Sequence, residues 1–192
     1  DLDALRSEGV TTTIINRASG LIRGDASDGM KTGAHATISN YGEISTGDSH
    51  NADEKFDGID IDSATGVSIT NYGVISGGRH GITTDLGATL INYGQITGRN
   101  GSGFGSDGDG TVINHGTITG AYSGLQANGD GDGVDIDKIA HIENYGTLQG
   151  VGAGGVDKGG FANGSEGIAL GGGYILNASG ALISGANSAI LV

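Results

Sequence analysis

Apolar and polar residues alternate over short segments of three to five residues along the whole chain. In the stretch that begins at Ile69, the side chains of Ile69 and Asn71 fall on one side of an extended backbone and can share that side with Ile75. Ile, Val and Thr fill these segments, which are too short for helices and favour strands. We therefore predict short β-strands in which Ile69, Asn71 and Ile75 point inward.

The alternating segments belong to a repeat. The motif I-x-N-Y-G-x-I-x-G appears as ISNYGEIS, ITNYGVISG, LINYGQITG, VINHGTITG and IENYGTLQG, with weaker copies, IINRASGLIRG and ILNASGALISG, on either side. A motif that recurs every 20 to 50 residues is typical of a solenoid, in which each repeat packs on its neighbours. The sequence predicts a right-handed parallel β-helix of about seven coils, built as one domain over residues 1–192.

A second apolar segment follows each motif and is usually introduced by Gly, as in GITT, GFGS and GVDI. Its distance to the next motif Asn is nearly constant, since 11 residues separate Gly81 from Asn92 and Gly103 from Asn114. Extra residues must then lie before this segment, at 48–57, 121–132 and 151–166. The insertions are predicted to emerge at one corner of the coil.

The motif also predicts two columns along the helix. An inward Asn amide can bond to the turn backbone and to the Asn of the next coil. The residue after each Asn can stack on its equivalents as an outer column of rings, a structural role that we favour over sugar binding. The motif Gly is expected to supply a positive φ at the corner. The predicted ladder consists of Asn16, Asn40, Asn71, Asn92, Asn114, Asn144 and Asn177, and the ring column of Tyr41, Tyr72, Tyr93, His115 and Tyr145.

Composition narrows the possible partners. The chain has 41 Gly, no Pro and no Cys, and its net charge is -13. The lack of Pro suits a fold in which nearly every N–H is needed by a neighbouring strand, and the lack of Cys excludes disulfides and thiolate chemistry. The negative charge would repel nucleic acid and anionic lipid, and no apolar run reaches the ~20 residues that span a bilayer. We expect neither nucleic-acid binding nor membrane insertion of this segment.

Tandem I-x-N-x-G-x-I-x-G repeats with Gly-Ile segments resemble the passenger regions of bacterial autotransporters, the pertactin-like and adhesin-like β-helices, from Thr13 to Val192. The resemblance implies export through the outer membrane and display at the bacterial cell surface or in the extracellular space, as an adhesin, an aggregation factor or a stalk. Partners would be a host-cell or extracellular glycan or protein, or another copy of the chain. Neither a signal peptide nor a membrane barrel is recognisable, so we expect a segment of a longer passenger.

The insertions indicate a candidate ligand site, because two coils with short connections lie between coils with long ones. These two coils would form the floor of a notch about 10 Å tall. Guanidinium forks and an aromatic ring there could hold a glycan, although a set of solvated loop residues is the simpler interpretation. The floor residues are Arg79, His80, Arg99, Asn100 and Phe104.

Other chemistry has weaker support. Asp130, Asp132 and Asp135 could bind calcium, but the EF-hand spacing is missing, so no cofactor is expected. Asp60 and Asp135 occupy equivalent outward positions three coils apart, too far for paired catalysis, and we predict no enzyme; a carbohydrate-active enzyme of the β-helix class is the alternative. An outward column of hydroxyls raises ice binding, although β-propensity explains it as well. The column consists of Ser45, Ser76, Thr97 and Thr119.

Overall fold

The computed structural model describes residues 3–51, 53–157 and 159–192, and it is a right-handed parallel β-helix with three faces. The first face contains Leu5–Ser7, Met30–Thr32, Ile59–Asp60, Ile82–Thr84, Phe104–Ser106, the starts of Val134–Asn144 and Glu166–Asn177, and Ser188–Leu191. The second contains Thr13–Asn16, Thr37–Asn40, Val67–Asn71, Ala88–Asn92, Gly110–Asn114 and the ends of the two long strands. The third contains Leu21–Gly24, Glu43–Thr46, Val74–Gly77, Gln95–Gly98, Thr117–Gly120, Thr147–Gly150 and Leu182–Gly185.

Every face is a parallel sheet in which each strand pairs with its equivalent in the coils before and after it. The third face is a seven-stranded sheet in sequential order, and the two long strands join the first and second faces into one sheet. In register, Asn71 pairs with Asn92 and Asn92 with Asn114. No helix long and apolar enough to cross a membrane occurs within the ranges described above.

The core is a column of aliphatic side chains enclosed by the three faces. Ile69 and Ile75 are fully buried, as the alternating pattern predicts, and their equivalents continue the column in both directions. Each such side chain contributes about 1.5–3 kcal/mol by leaving water. The fully buried members include Ile38, Leu90, Val112 and Ile142 on the second face, Ile44, Ile96, Ile118 and Leu148 on the third, and Met30, Ile59, Ile82, Phe104, Val134 and Ile168 on the first.

The long insertions lie between the third and first faces, as the constant spacing predicts. They narrow the predicted notch to a depression of about 310 Å³. The loop at 121–132 pairs with the next insertion through an antiparallel contact between Gly129–Asp130 and Ala153–Gly154. It also reaches down to the short-loop coils, where Ala121 bridges to Gly101, and approaches the insertion at 48–57, since His50 and Leu125 line one cavity. The insertions therefore cover part of the coils between them.

Gly occupies the motif corner for a steric reason and not, as expected, to supply a positive φ. Gly73 and Gly94 are not among the residues with positive φ. A Cβ on Gly94 would lie only 2.1 Å from the carbonyl oxygen of Gly73, and one on Gly73 would lie 2.0 Å from that of Gly42. Gly is required because the backbones of successive coils approach closely at this corner, which leaves no room for a side chain.

Candidate functional site

The seven motif asparagines form a continuous ladder inside the helix. In each step the side-chain Nδ2 donates to Oδ1 of the Asn in the next coil, at 2.8–2.9 Å, from Asn16 to Asn177. The same Nδ2 of Asn92 donates to the carbonyl of Gly94, and its Oδ1 accepts from the Gly94 N–H. The central amides are fully buried. The ladder satisfies turn backbone that would otherwise be buried without partners.

The outer aromatic column is also present. Rings at Tyr41, Tyr72, Tyr93, His115 and Tyr145 stack with centroids 4.8–4.9 Å apart and interplanar angles of 3–7°. Each inner ring has both faces covered by its neighbours. Sugar stacking needs an open ring face, so this geometry favours the structural role of the column over sugar binding.

A second internal column, which the sequence analysis missed, lies at the insertion corner. Asp28 Oδ1 accepts from the N–H of Asp57 at 2.8 Å, and Asp57 Oδ1 accepts from the N–H of His80 at 3.0 Å. His80 Nδ1 then accepts from the N–H of Ser102 at 2.9 Å. Each side chain thus binds the backbone of the equivalent residue one coil further on. The sequence contains a signal for this column, because each of these residues directly precedes the Gly that introduces the second apolar segment of its coil.

Arg79 and His80 of the predicted notch are held by this corner column. Arg79 Nε and Nη2 bind the two oxygens of Asp57 at 2.9 and 2.5 Å, and the Asp57 side chain is 1% exposed. Burial lowers the pKa of His80, which suits the neutral ring that accepts at Nδ1. Both side chains line a depression of about 310 Å³ together with Asn128 and Asp157. The hydrogen bonds of Arg79 and His80 therefore stabilise the insertion corner.

Arg99 lies away from that depression, across the third face. Its guanidinium donates to Ser76 Oγ at 2.5 Å and to the carbonyl oxygens of Thr46 and Gly47 at 2.9 and 2.8 Å, and it pairs with Asp48 at 2.8 Å. The structure thus separates Arg99 from Arg79 and His80. Arg99 also crosses the outward hydroxyl column, which interrupts the flat array of hydroxyls that ice binding would need.

Two further notch predictions change in the structure. Phe104 was expected on the notch floor but has no exposed surface, because the alternation of the strand Phe104–Ser106 directs its ring into the core. Asn100 lines the depression, but its Oδ1 accepts from the N–H and the hydroxyl of Ser123 at 3.2 and 2.8 Å. Asn100 therefore fastens the covering loop to the coil.

The candidate calcium ligands point to different places. Among the described residues, no group of three or more His, Cys, Asp or Glu side chains is placed to hold a metal ion. Asp132 is buried and accepts from the N–H of Glu166 at 2.6 Å, Asp135 faces outward from the first face, and Asp130 is exposed in the short strand Gly129–Asp130 of the insertion. Burial raises the pKa of Asp132 to about 8 and that of Asp135 to about 7, and nearby carboxylates add to both shifts.

Asp60 and Asp135 lie in one outward column with Thr83 and Gly105 between them, as the sequence predicts. At ~4.8 Å for each strand, this places them roughly 14 Å apart. Comparison of the chain with protein-family models, with curated proteins and with solved structures finds no match. Any function must therefore be argued from the surfaces described above.

Proposed function

We propose that this chain is an interaction module, the stalk or adhesive segment of a passenger displayed on a bacterial cell surface or released from it. The observation that carries the proposal is the division of the molecule into a regular core and loops gathered at one corner. Aliphatic and amide columns run through the coils without interruption, whereas most of the difference in length between coils lies in the insertions. Such a rod presents loops to a partner at a fixed height and orientation.

The composition supports the same role. Absent Cys avoids disulfides, which fits the autotransporter passengers that the repeats resemble, and the net charge of -13 keeps a rod of exposed strands soluble. Partners would be a glycan or protein outside the cell, or another copy of the chain. The insertions around Arg79, Asn100 and Asn128 are the surface that we expect such a partner to meet.

Antibody labelling tests the proposal on source cells that carry the full reading frame. An antibody raised against this domain should label intact, unpermeabilised cells or recover the domain from the medium. An antibody against a cytoplasmic protein, applied to the same cells, reports any leakage. Labelling that appears only after the cells are lysed would refute surface display.

One observation favours the alternative, a carbohydrate-active enzyme. Asp135 is partly buried, and its raised pKa of about 7 would let it act as a proton donor near neutral pH. Gly105 and Ala169 flank it on the neighbouring coils and leave space around the carboxyl group. A screen of acidic and neutral polysaccharides for chain cleavage, with Asp135→Asn as the control, tests this alternative. Cleavage that Asp135→Asn abolishes would replace the stalk proposal.

A further inference from the structure

A depression on the second face, far from the predicted notch, has the features of a ligand site. Its volume is about 410 Å³, within the range of small-molecule pockets. Outward hydroxyls of Ser68, Thr89 and Thr111 form its floor and come from three successive coils. Adjacent strands place them ~4.8 Å apart, a spacing that suits the hydroxyl groups of a sugar ring.

The walls of the depression are unusually apolar for an exposed surface. Leu86 is 51% exposed and Ile139 is 62% exposed, and both line it. Ile139 lies at a β-bulge, where the register between the two long strands shifts between Ile136 and Ile139. Asp109 fixes this bulge, since its Oδ1 accepts from the N–H of Ile139 at 3.0 Å.

On the side of the following coil, the depression ends at the ring of His141, which has one open face. His141 stacks on Tyr174 with ring centroids 4.9 Å apart, and its Nε2 lies 3.0 Å from Glu143 Oε1, which holds the ring in place. The equivalent residue one coil below is Thr111, which has no ring. The lower face of His141 is therefore uncovered above the floor, unlike the inner rings of the tyrosine column.

We propose that this depression binds a saccharide, with a pyranose ring against the open face of His141. The apolar C–H face of the sugar takes the place of the ring that is missing at Thr111, and its hydroxyls bond to Thr111, Thr89 and the second oxygen of Asp109. Leu86 and Ile139 contact its edges. The hydroxyl floor favours a sugar over an aliphatic ligand, and the net charge of -13 disfavours a nucleotide.

The saccharide site deepens the proposed interaction role and rests on that proposal for its biological setting. Binding itself can be tested on the folded domain alone. Saturation-transfer NMR on the purified chain tests it with methyl glycosides of glucose, galactose, mannose and N-acetylglucosamine, and with indole as an aromatic probe. At least one glycoside should bind the parent. His141→Ala should weaken binding about threefold to tenfold, the factor expected for one ring contact.

Two variants at Thr111 separate the site from general effects on the fold. Thr111→Tyr should extend the stack, fill the depression and abolish binding, whereas Thr111→Val should weaken binding by removing a hydroxyl. Thr13→Val is the matched control, because Thr13 lies in the same outward column, two coils from Ser68 at the near edge of the floor, and should bind as the parent does. Thr111→Tyr still decides if His141→Ala fails to fold.

Three outcomes would overturn the inference: no glycoside binds, indole alone binds, or binding is unchanged in His141→Ala and Thr111→Tyr. The result is independent of where the protein resides. A domain that binds glycosides but never reaches the cell surface would refute the display proposal alone, and a displayed domain without glycoside binding would refute only the saccharide site.

Discussion

Replacing Asn92 by Ala tests the amide ladder at its centre. The Asn92 side chain has five hydrogen-bond contacts, and since its Nδ2 has only two N–H groups, four bonds can form at full strength. Its Oδ1 accepts from Asn71 Nδ2 at 2.9 Å and from the Gly94 N–H at 3.2 Å. Its Nδ2 donates to Asn114 Oδ1 at 2.9 Å, to Gly94 O at 3.2 Å and to Thr117 O at 3.3 Å. At about 0.5–1.5 kcal/mol for each net bond, four such bonds would contribute roughly 4 kcal/mol.

The expected loss is smaller because three of the partner groups keep another bond. Asn71 Nδ2 still donates to Gly73 O, Asn114 Oδ1 still accepts from the Gly116 N–H, and the Gly94 N–H still reaches Asn71 O. We therefore expect Asn92→Ala to lower the free energy of unfolding by about 2–3 kcal/mol. For a domain of this size, that corresponds to a fall in Tm of about 5–10 °C.

Thermal and urea unfolding followed by circular dichroism measure this loss. Asn177→Ala is the matched control, since Asn177 is exposed, accepts one ladder bond from Asn144 and reaches Ala181 O only at 3.4 Å. Its loss should stay below about 1 kcal/mol. Equal effects of the two substitutions would refute the reasoning that the buried ladder stabilises the coils.

Three other perturbations have defined outcomes. Burial raises the pKa of Asp132 to about 8, so between about pH 4 and pH 8 the folded state holds a proton that the unfolded state has lost. The free energy of unfolding should therefore fall as the pH rises from about 4 to about 8, measured as the urea midpoint. Asp132→Asn should reduce this dependence on pH. Arg79→Ala leaves buried Asp57 without its bidentate partner and should cost about 3 kcal/mol, and an unchanged Tm would contradict that. Gly94→Ala, with its Cβ against a carbonyl, should cost about 3 kcal/mol, whereas Gly9→Ala should be neutral, and similar Tm values would contradict the close approach.

Periodic features of the fold could be predicted from the sequence. Alternation placed Ile69 and Asn71 inside, and the recurrence of Asn predicted both the register and the ladder, because a solenoid repeats one local geometry in every coil. The column of Asp57 and His80 was equally periodic in position. It was overlooked because its side chains differ, although each supplies an acceptor at the same place.

The candidate site was harder to predict because it depends on loops and on side-chain direction. Phe104 was assigned to the notch from its place beside an insertion, whereas strand alternation directs it into the core. Arg99 is long enough to reach across to Ser76, which no spacing reveals. The pairing of His141 with Thr111 follows from the repeat, since each lies three residues before its motif Asn, but the bulge that exposes Ile139 beside them has no equivalent in the repeat.

The direction of the ladder gives the rod an electrical polarity. All six amide-to-amide bonds run the same way, with the N–H of each side chain aimed at the following coil. Seven aligned amides of about 3.5 D each sum to roughly 25 D along the axis, comparable to a short helix macrodipole. The negative pole lies at Asn16, and the position beside it, occupied by Tyr in the central coils, is Arg17. A cation is favourable at that pole, as it is at the carboxyl end of a helix.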